Sequence, residues 1–309
     1  MNPLSGIYTV ASGLRNRFYD RGILRSHRLA RPVVSVGNLS TGGTGKTPFV
    51  IALGELLKAR GISFDVLSRG YRRKTRGVLL VEPAGSPDDF GDEPLLIARR
   101  LGVPVIVGED RYEAGRLAES RFQSELHILD DGFQHRPLAR DFEIVLLAGS
   151  EFDDQLLPLG RLREPVSSLK RADAIVSPAD IAANRSEFGG KSVWRVKRQI
   201  SVSQAPRLPV AFCGIAQPEQ FFAQLRAAGV TPAAEIAFRD HHRYRQADIG
   251  RLLAGREKFS ADGFVTTEKD ALNLGPLEVA LKPLVVATLT LLIENPDDVV
   301  DTILARIGK

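Results

Sequence analysis

Val33 to Phe49 reads Val-Val-Ser-Val-Gly-Asn-Leu-Ser-Thr-Gly-Gly-Thr-Gly-Lys-Thr-Pro-Phe, and the order of residue types in that stretch decides the fold. A β-branched run, Val33 to Val36, leads through a loop holding Gly42, Gly43 and Gly45 into an apolar pattern of helical period: Phe49, Val50, Ala52, Leu53, Leu56 and Leu57, closed by Gly61. Strand, glycine loop and helix in that order make a phosphate cradle. Thr41, Gly42, Gly43, Thr44 and Gly45 offer backbone N–H groups to phosphate oxygens, and the helix N-terminus adds partial positive charge. Lys46 reaches the β- and γ-phosphates, and the Thr47 hydroxyl can ligate Mg²⁺. Serine stands at position 40, where the Gly-x-x-x-x-Gly-Lys-[Ser/Thr] pattern asks for glycine. The functional demand falls on Gly45-Lys46-Thr47, so this departure is tolerable.

Working outward, Phe64 to Leu67 reads as a second strand with short connections, which makes a βαβ unit and a parallel sheet. The cationic loop Ser68 to Gly77 follows at the strand's carboxyl end, where open α/β sheets bind ligands, and it suits an anionic substrate. Asp92 opens the apolar helix Leu95 to Leu101, as an N-cap or as a chemical group. Val103 to Val107 is a buried strand, and Arg111 begins the helix after it. Leu126-His-Ile-Leu-Asp130-Asp131 is an apolar strand ending in acids, the form of a Walker B segment, whose carboxylates can hold the metal that bridges nucleotide phosphates. Gln134 and His135 follow beside that metal. Phe142 to Leu147 and Ala174 to Val176 add strands, and the turn-rich loop Leu157 to Pro165 carries Arg161 and Arg163. Ser192 to Gln204 alternates as an edge or linking strand.

Beyond it a second α/β pattern begins with the strand Leu208 to Cys213, so the lobe boundary is placed near Ser201. The expected architecture is a P-loop NTPase-like, mostly parallel sheet flanked by helices, with a second smaller α/β lobe. Its divisions are residues 1–30 (a basic N-terminal helix), 31–200 (the P-loop core) and 201–309 (a lobe closing over the site). His241 and His242, adjacent with one nearby aspartate, do not make a metal site, because neighbours in an extended stretch point oppositely.

The 309 residues are 43% hydrophobic, enough for a core, and the formal net charge of +5 favours anionic partners. Cys213 is the only cysteine, which excludes a disulfide framework and a thiolate zinc cluster and points to a reducing compartment. No apolar run is long enough to span a bilayer. Leu4, Ile7, Tyr8, Ala11, Leu14 and Phe18 nevertheless recur at helical spacing in a segment rich in arginine. That describes a helix lying on an anionic membrane surface, with Arg15 inside its apolar arc obliged to snorkel.

Three classes of P-loop protein compete. A GTPase wants Asn-Lys-x-Asp, and Thr267-Glu-Lys-Asp270 lacks the asparagine. A ParA/MinD-like ATPase switch wants Lys-Gly-Gly-x-Gly-Lys-Thr, and its first lysine is missing at Thr41. A small-molecule kinase needs a base and a cationic acceptor site, which Asp92 and the loop from Ser68 can supply.

The chain resembles the tetraacyldisaccharide 4′-kinase family, the lipid A 4′-kinases. The resemblance is carried by Gly37 to Pro48, Leu67-Ser-Arg-Gly-Tyr71, Gly91-Asp-Glu-Pro94, Asp130-Asp-Gly-Phe-Gln-His135, Leu159 to Pro165, Asp240-His-His-Arg-Tyr244 and Thr267-Glu-Lys-Asp270. It implies transfer of the ATP γ-phosphoryl group to the 4′-hydroxyl of a tetraacylated glucosamine disaccharide 1-phosphate, by a peripheral or monotopic protein at the cytoplasmic face of the bacterial inner membrane. It further implies Asp92 as general base with His241 as partner, alongside Lys46. Candidate metal ligands are Thr47, Glu93, Asp130 and Asp131, and candidate substrate contacts are Arg72, Arg111, Gln134, His135 and Arg163. ATP and Mg²⁺ are the expected cofactors. The expected partners are the lipid substrate and a membrane surface, not nucleic acid, and the expected state is monomeric.

Overall fold

The structure, a computed structural model, describes residues 3–182 and 185–308, with side chains from residue 8 onward. In chain order the first half holds α1 (Pro3–Asp20), β1 (Val33–Asn38), α2 (Lys46–Ala59), β2 (Phe64–Ser68), β3 (Leu79–Leu80), α3 (Pro87–Phe90), α4 (Asp92–Leu101), β4 (Val105–Val107), α5 (Arg111–Arg121), β5 (Leu126–Asp130), β6 (Phe142–Leu146) and β7 (Ala174–Pro178). After the long β8 (Ser192–Ser201) come β9 (Val210–Cys213), α6 (Pro218–Ala227), β10 (Ala234–Ala237), α7 (Gln246–Lys258), β11 (Phe264–Thr267), α8 (Glu268–Leu274), the long β12 (Leu284–Ile293) and α9 (Pro296–Ile307).

Among the described residues the strands form one sheet in the order β10-β9-β11-β12-β8-β7-β6-β1-β5-β2-β4-β3. β1 is buried along its whole length between the parallel neighbours β5 and β6, as expected of a strand covered on both faces. Its register sets Val36 opposite Asp130, so the phosphate loop leaves the sheet beside the acids that end β5. Helices cover both faces. Leu53 and Leu57 of α2, Leu95 and Ile97 of α4 and Ile303 of α9 fill one core, while Ala114 and Ala118 of α5 pack with Leu67 and Leu129 in another. Each fully buried leucine of this kind contributes about 1.5–3 kcal/mol.

The segment read as an edge or linking strand is the linking one. β8 runs parallel to β7 at its start, and its later residues pair antiparallel with β12 from Val196↔Ile293 to Ser201↔Thr288. The start of β12 pairs parallel with β11, so a two-stranded ribbon joins the halves. From β12 the chain returns, and Val299, Val300 and Ile303 of α9 pack in the core of the first half. The two-residue β3 was not expected; it is too short to leave a period in the sequence.

Of the predicted apolar face of α1, the side chains of Leu4 and Ile7 lie outside the described residues. Ala11, Leu14 and Phe18 are exposed, and Val10 joins them. Tyr8 departs from the expectation. It turns inward, and its hydroxyl donates to the Arg163 carbonyl at 2.9 Å. Arg15 does not snorkel, because it donates to the Gln134 carbonyl at 3.0 Å.

Candidate active site

The phosphate loop owes its shape to backbone that most residues avoid. Gly45 precedes α2 at φ 93° and ψ 25°, a left-handed conformation open to glycine, and this turns the chain directly into the helix at Lys46. A side chain and the backbone brace the loop: Asn38 Nδ2 donates to Thr44 Oγ1 at 2.8 Å, and Thr41 N donates to the Arg161 carbonyl at 2.8 Å. The serine at position 40 is an anchor. Its hydroxyl lies 3.2 Å from Oε1 of the buried Glu151, whose carboxylate also accepts from Ala148 N and Gly149 N.

At the end of β5 two adjacent aspartates have opposite environments. Burial would raise Asp131, but the charges of Lys46 and Arg163 outweigh it and hold the carboxyl well below the usual range. Lys46 Nζ stands 3.5 Å from Asp131 Oδ1, and the Arg163 guanidinium forks onto both oxygens at 2.8 and 3.1 Å. Asp130 is pushed up to about 7 by burial and then by the neighbouring carboxylates of Glu93 and Asp131. Its Oδ2 accepts from Ser68 Oγ at 2.9 Å, while Oδ1 is buried without a hydrogen bond.

Crowded carboxylates with an unpaired buried oxygen fit a divalent cation. Among the described residues no three His, Cys, Asp or Glu side chains converge as a metal cage. Mg²⁺ at a phosphate site needs only one or two protein ligands, so the donor set of Thr47, Asp130 and Asp131 suffices. Glu93 lines the same cavity, with its Oε1 accepting from Lys269 Nζ at 2.6 Å, and stays a candidate ligand beside them.

Gly91, not Asp92, takes the capping position of α4, at φ 89°, and leaves Asp92 as the first helical residue. Asp92 is only 3% exposed; its Oδ1 accepts from Glu93 N at 3.0 Å, and its Oδ2 meets Nδ1 of His241 at 2.7 Å. Burial would raise this carboxyl too, but the hydrogen bond from His241 and the charge of Lys269 hold it well below the usual range. His241 lies in the loop between β10 and α7 at φ 55°, and His242 points the other way, to Asp248 Oδ2 at 3.0 Å. The dyad therefore spans the two halves of the sheet. Arg72 spans them as well, donating to the Asp240 carbonyl at 2.8 Å.

A cavity of about 470 Å³ joins these parts, lined by the phosphate loop, Asp92, Glu93, Asp130, Asp131 and His241. Arg72 and Arg163 line it; Arg111, Gln134 and His135 do not. Of the three, Gln134 touches α1, its carbonyl accepting from Arg15 Nη2 at 3.0 Å. Arg111 Nη1 donates to the Glu109 carbonyl at 2.8 Å, and burial and then Arg69 lower it to about 10. Gln134 Nε2 donates to the Asn38 carbonyl at 3.0 Å, which braces the phosphate loop. Burial and then Arg111 hold His135 down to about 3, so it is neutral at pH 7.

Arg198, Lys269 and Glu151 escaped the sequence reading as site residues. A single arginine in an alternating strand or a glutamate in a loop carries no local signal. Lys269 does sit in the quoted Thr267 to Asp270 block, which was the available clue.

The family model for LpxK, tetraacyldisaccharide-1-P 4′-kinase, matches residues 1–308. A tetraacyldisaccharide 4′-kinase from Koribacter versatilis is 50% identical over 320 residues, covering 100% of this chain and 99% of that protein. One from Geobacter metallireducens is 41% identical over 315 residues, covering 95% and 93%. A crystal structure of LpxK from Aquifex aeolicus in complex with ATP superposes with a TM-score of 0.82 at 33% identity, covering 99% of this chain and 98% of that one.

Proposed function

The chain belongs to the tetraacyldisaccharide-1-P 4′-kinase family, and from that premise we propose how its residues carry out the reaction. It is an ATP-dependent kinase that phosphorylates the 4′-hydroxyl of a tetraacyldisaccharide 1-phosphate, in lipid A biosynthesis, to give the 1,4′-bisphosphate. A ParA/MinD-like switch is not favoured.

One observation carries the assignment of roles: the hydrogen-bonded Asp92–His241 pair faces the phosphate loop across a single cavity. Thr41 to Thr47 hold the triphosphate, and Lys46 leaves Asp131 for the γ-phosphoryl oxygens, where its charge stabilises the transferring group. Thr47, Asp130 and Asp131, with Glu93 beside them, would hold Mg²⁺, which would neutralise charge on the triphosphate.

Asp92 is the general base. A carboxylate held so far below its usual range beside a protonated imidazole is a poor resting place for a proton, so the acceptor's proton passes through Asp92 to Nδ1 of a His241 that enters neutral with its hydrogen on Nε2, leaving a carboxylate–imidazolium pair. The oxygen attacks phosphorus as its proton leaves, and ADP departs. Arg72 and Arg163 supply positive charge at the cavity wall, with Arg111, Gln134 and His135 toward the acceptor's far end. Because Asp92 and His241 come from opposite halves, residues 31–200 and 201–309, apart from α9, which packs on the first half, act as lobes whose closure completes the site.

No helix among the described residues is long and apolar enough to cross a membrane. Val10, Leu14 and Phe18 stand exposed on α1, with Ile23 just beyond it, which supports peripheral docking of residues 1–30 on the cytoplasmic face of the inner membrane. A monomer suffices for this chemistry. Incubating the purified protein with Mg-ATP and lipid A disaccharide 1-phosphate in detergent should yield a product heavier by one phosphoryl group. ATP hydrolysis without that product would overturn the reading.

A further inference from the structure

Arg198 sits in the linking strand β8, far in sequence from every phosphate-binding element, yet its guanidinium lies over the phosphate loop. Its Nη2 donates to the Gly43 carbonyl at 3.0 Å, and a Cβ built on Gly45 would come within 3.1 Å of the same nitrogen. Nη1 donates to Oε1 of Gln220 on α6 of the second half. Among the described residues no carboxylate pairs with it, and burial alone depresses its pKa. By contrast Lys46, Arg163 and Lys269, which line the same cavity, each face an acid. A half-buried guanidinium is costly without a counter-charge, and the missing charge is what a polyphosphate in the loop supplies. The planar fork also matches phosphate oxygens in a way that a carbonyl and an amide oxygen do not exhaust.

We propose that Arg198 is a contact for the nucleotide's polyphosphate, carried over the loop by β8 and tied through Gln220 to the second half. In exchanging the Gly43 carbonyl for phosphate oxygens it would make nucleotide binding felt by α6. The inference rests on the kinase reading above and extends it by one binding residue outside the phosphate-loop motif.

The test is calorimetric titration of the full-length protein with Mg-ATP, Mg-ADP and AMP, comparing wild type, R198A and R198K. Losing a charge-assisted contact should weaken ATP and ADP about 10- to 100-fold in R198A. AMP should stay within about twofold, because its single phosphate does not fill the loop, and R198K should recover part of the loss. In turnover the KM for ATP should rise by a similar factor while the KM for the lipid acceptor holds. Equal weakening of all three nucleotides would mean that Arg198 supports the fold of the whole nucleotide site and does not contact the polyphosphate, and unchanged ATP affinity would remove it from the site; either overturns the inference. If R198A does not fold, R198K decides alone, since wild-type affinity for all three would refute the fork contact. Failure of the wild type to bind Mg-ATP would instead refute the kinase reading itself.

Discussion

Removing His241 should slow the reaction only as long as Asp92 is present. The two side chains meet at 2.7 Å with Asp92 almost wholly buried, so the contact is little screened by solvent. A hydrogen bond to a charged group contributes about 1.5–3 kcal/mol, and if that is lost from the transition state in His241→Ala, kcat falls about 10- to 100-fold. Asp92→Asn removes the proton acceptor and should lower kcat about 10²- to 10⁴-fold. Once Asp92 cannot take a proton, His241 has nothing to relieve. The double variant should therefore match Asp92→Asn within about threefold, whereas independent roles would multiply to about 10³–10⁶. The assay is transfer of labelled γ-phosphate from saturating Mg-ATP to lipid A disaccharide 1-phosphate in detergent micelles, with ATP affinity followed by calorimetry. Multiplicative losses would refute the relay. So would a His241→Ala variant with normal kcat and a raised KM for the acceptor, which would make the histidine a binding group.

Lys46→Ala should cut kcat by about 10²–10³ or more, since it removes charge aimed at the transferring group; retained turnover would count against the loop assignment. Asp130, pushed up to about 7, binds its proton more tightly in the folded protein than in the unfolded chain, so its contribution to stability declines as pH rises from about 4 to about 7. A metal ligand must be ionised, so Mg-nucleotide binding near pH 6 should release close to one proton, seen as a buffer-dependent calorimetric enthalpy that Asp130→Asn abolishes. Replacing both Leu14 and Phe18 with serine should weaken sedimentation with anionic vesicles at least about tenfold, because each buried side chain of this size contributes about 1.5 kcal/mol or more. Leu53→Ala, at a site of 0% exposure, should cost about 2–5 kcal/mol in urea unfolding and leave the KM for ATP near wild type in the folded fraction.

Much of this molecule is legible locally. The run into Gly45-Lys46-Thr47 specifies strand, cradle and helix because its period, its glycines and its lysine all act within a few residues. The ends of β2, β5 and β6 fall within a residue or two of expectation for the same reason, and so does the placement of Asp92 at the mouth of α4. The seven quoted blocks extend this to the family, since each keeps its chemistry within a short stretch. What the tertiary structure alone decided are the pairings between distant segments. Asp92 and His241 lie 149 positions apart, and Arg198 reaches a loop 155 positions upstream. Helical period puts Tyr8 on one stripe with Leu14 and Phe18; only the docked partner, the Arg163 carbonyl, shows that Tyr8 turns inward while the other two stay exposed. Periodicity and motif report forces between near neighbours in the chain, whereas the counter-charge a side chain finds depends on how the β8–β12 ribbon sets one half of the sheet against the other.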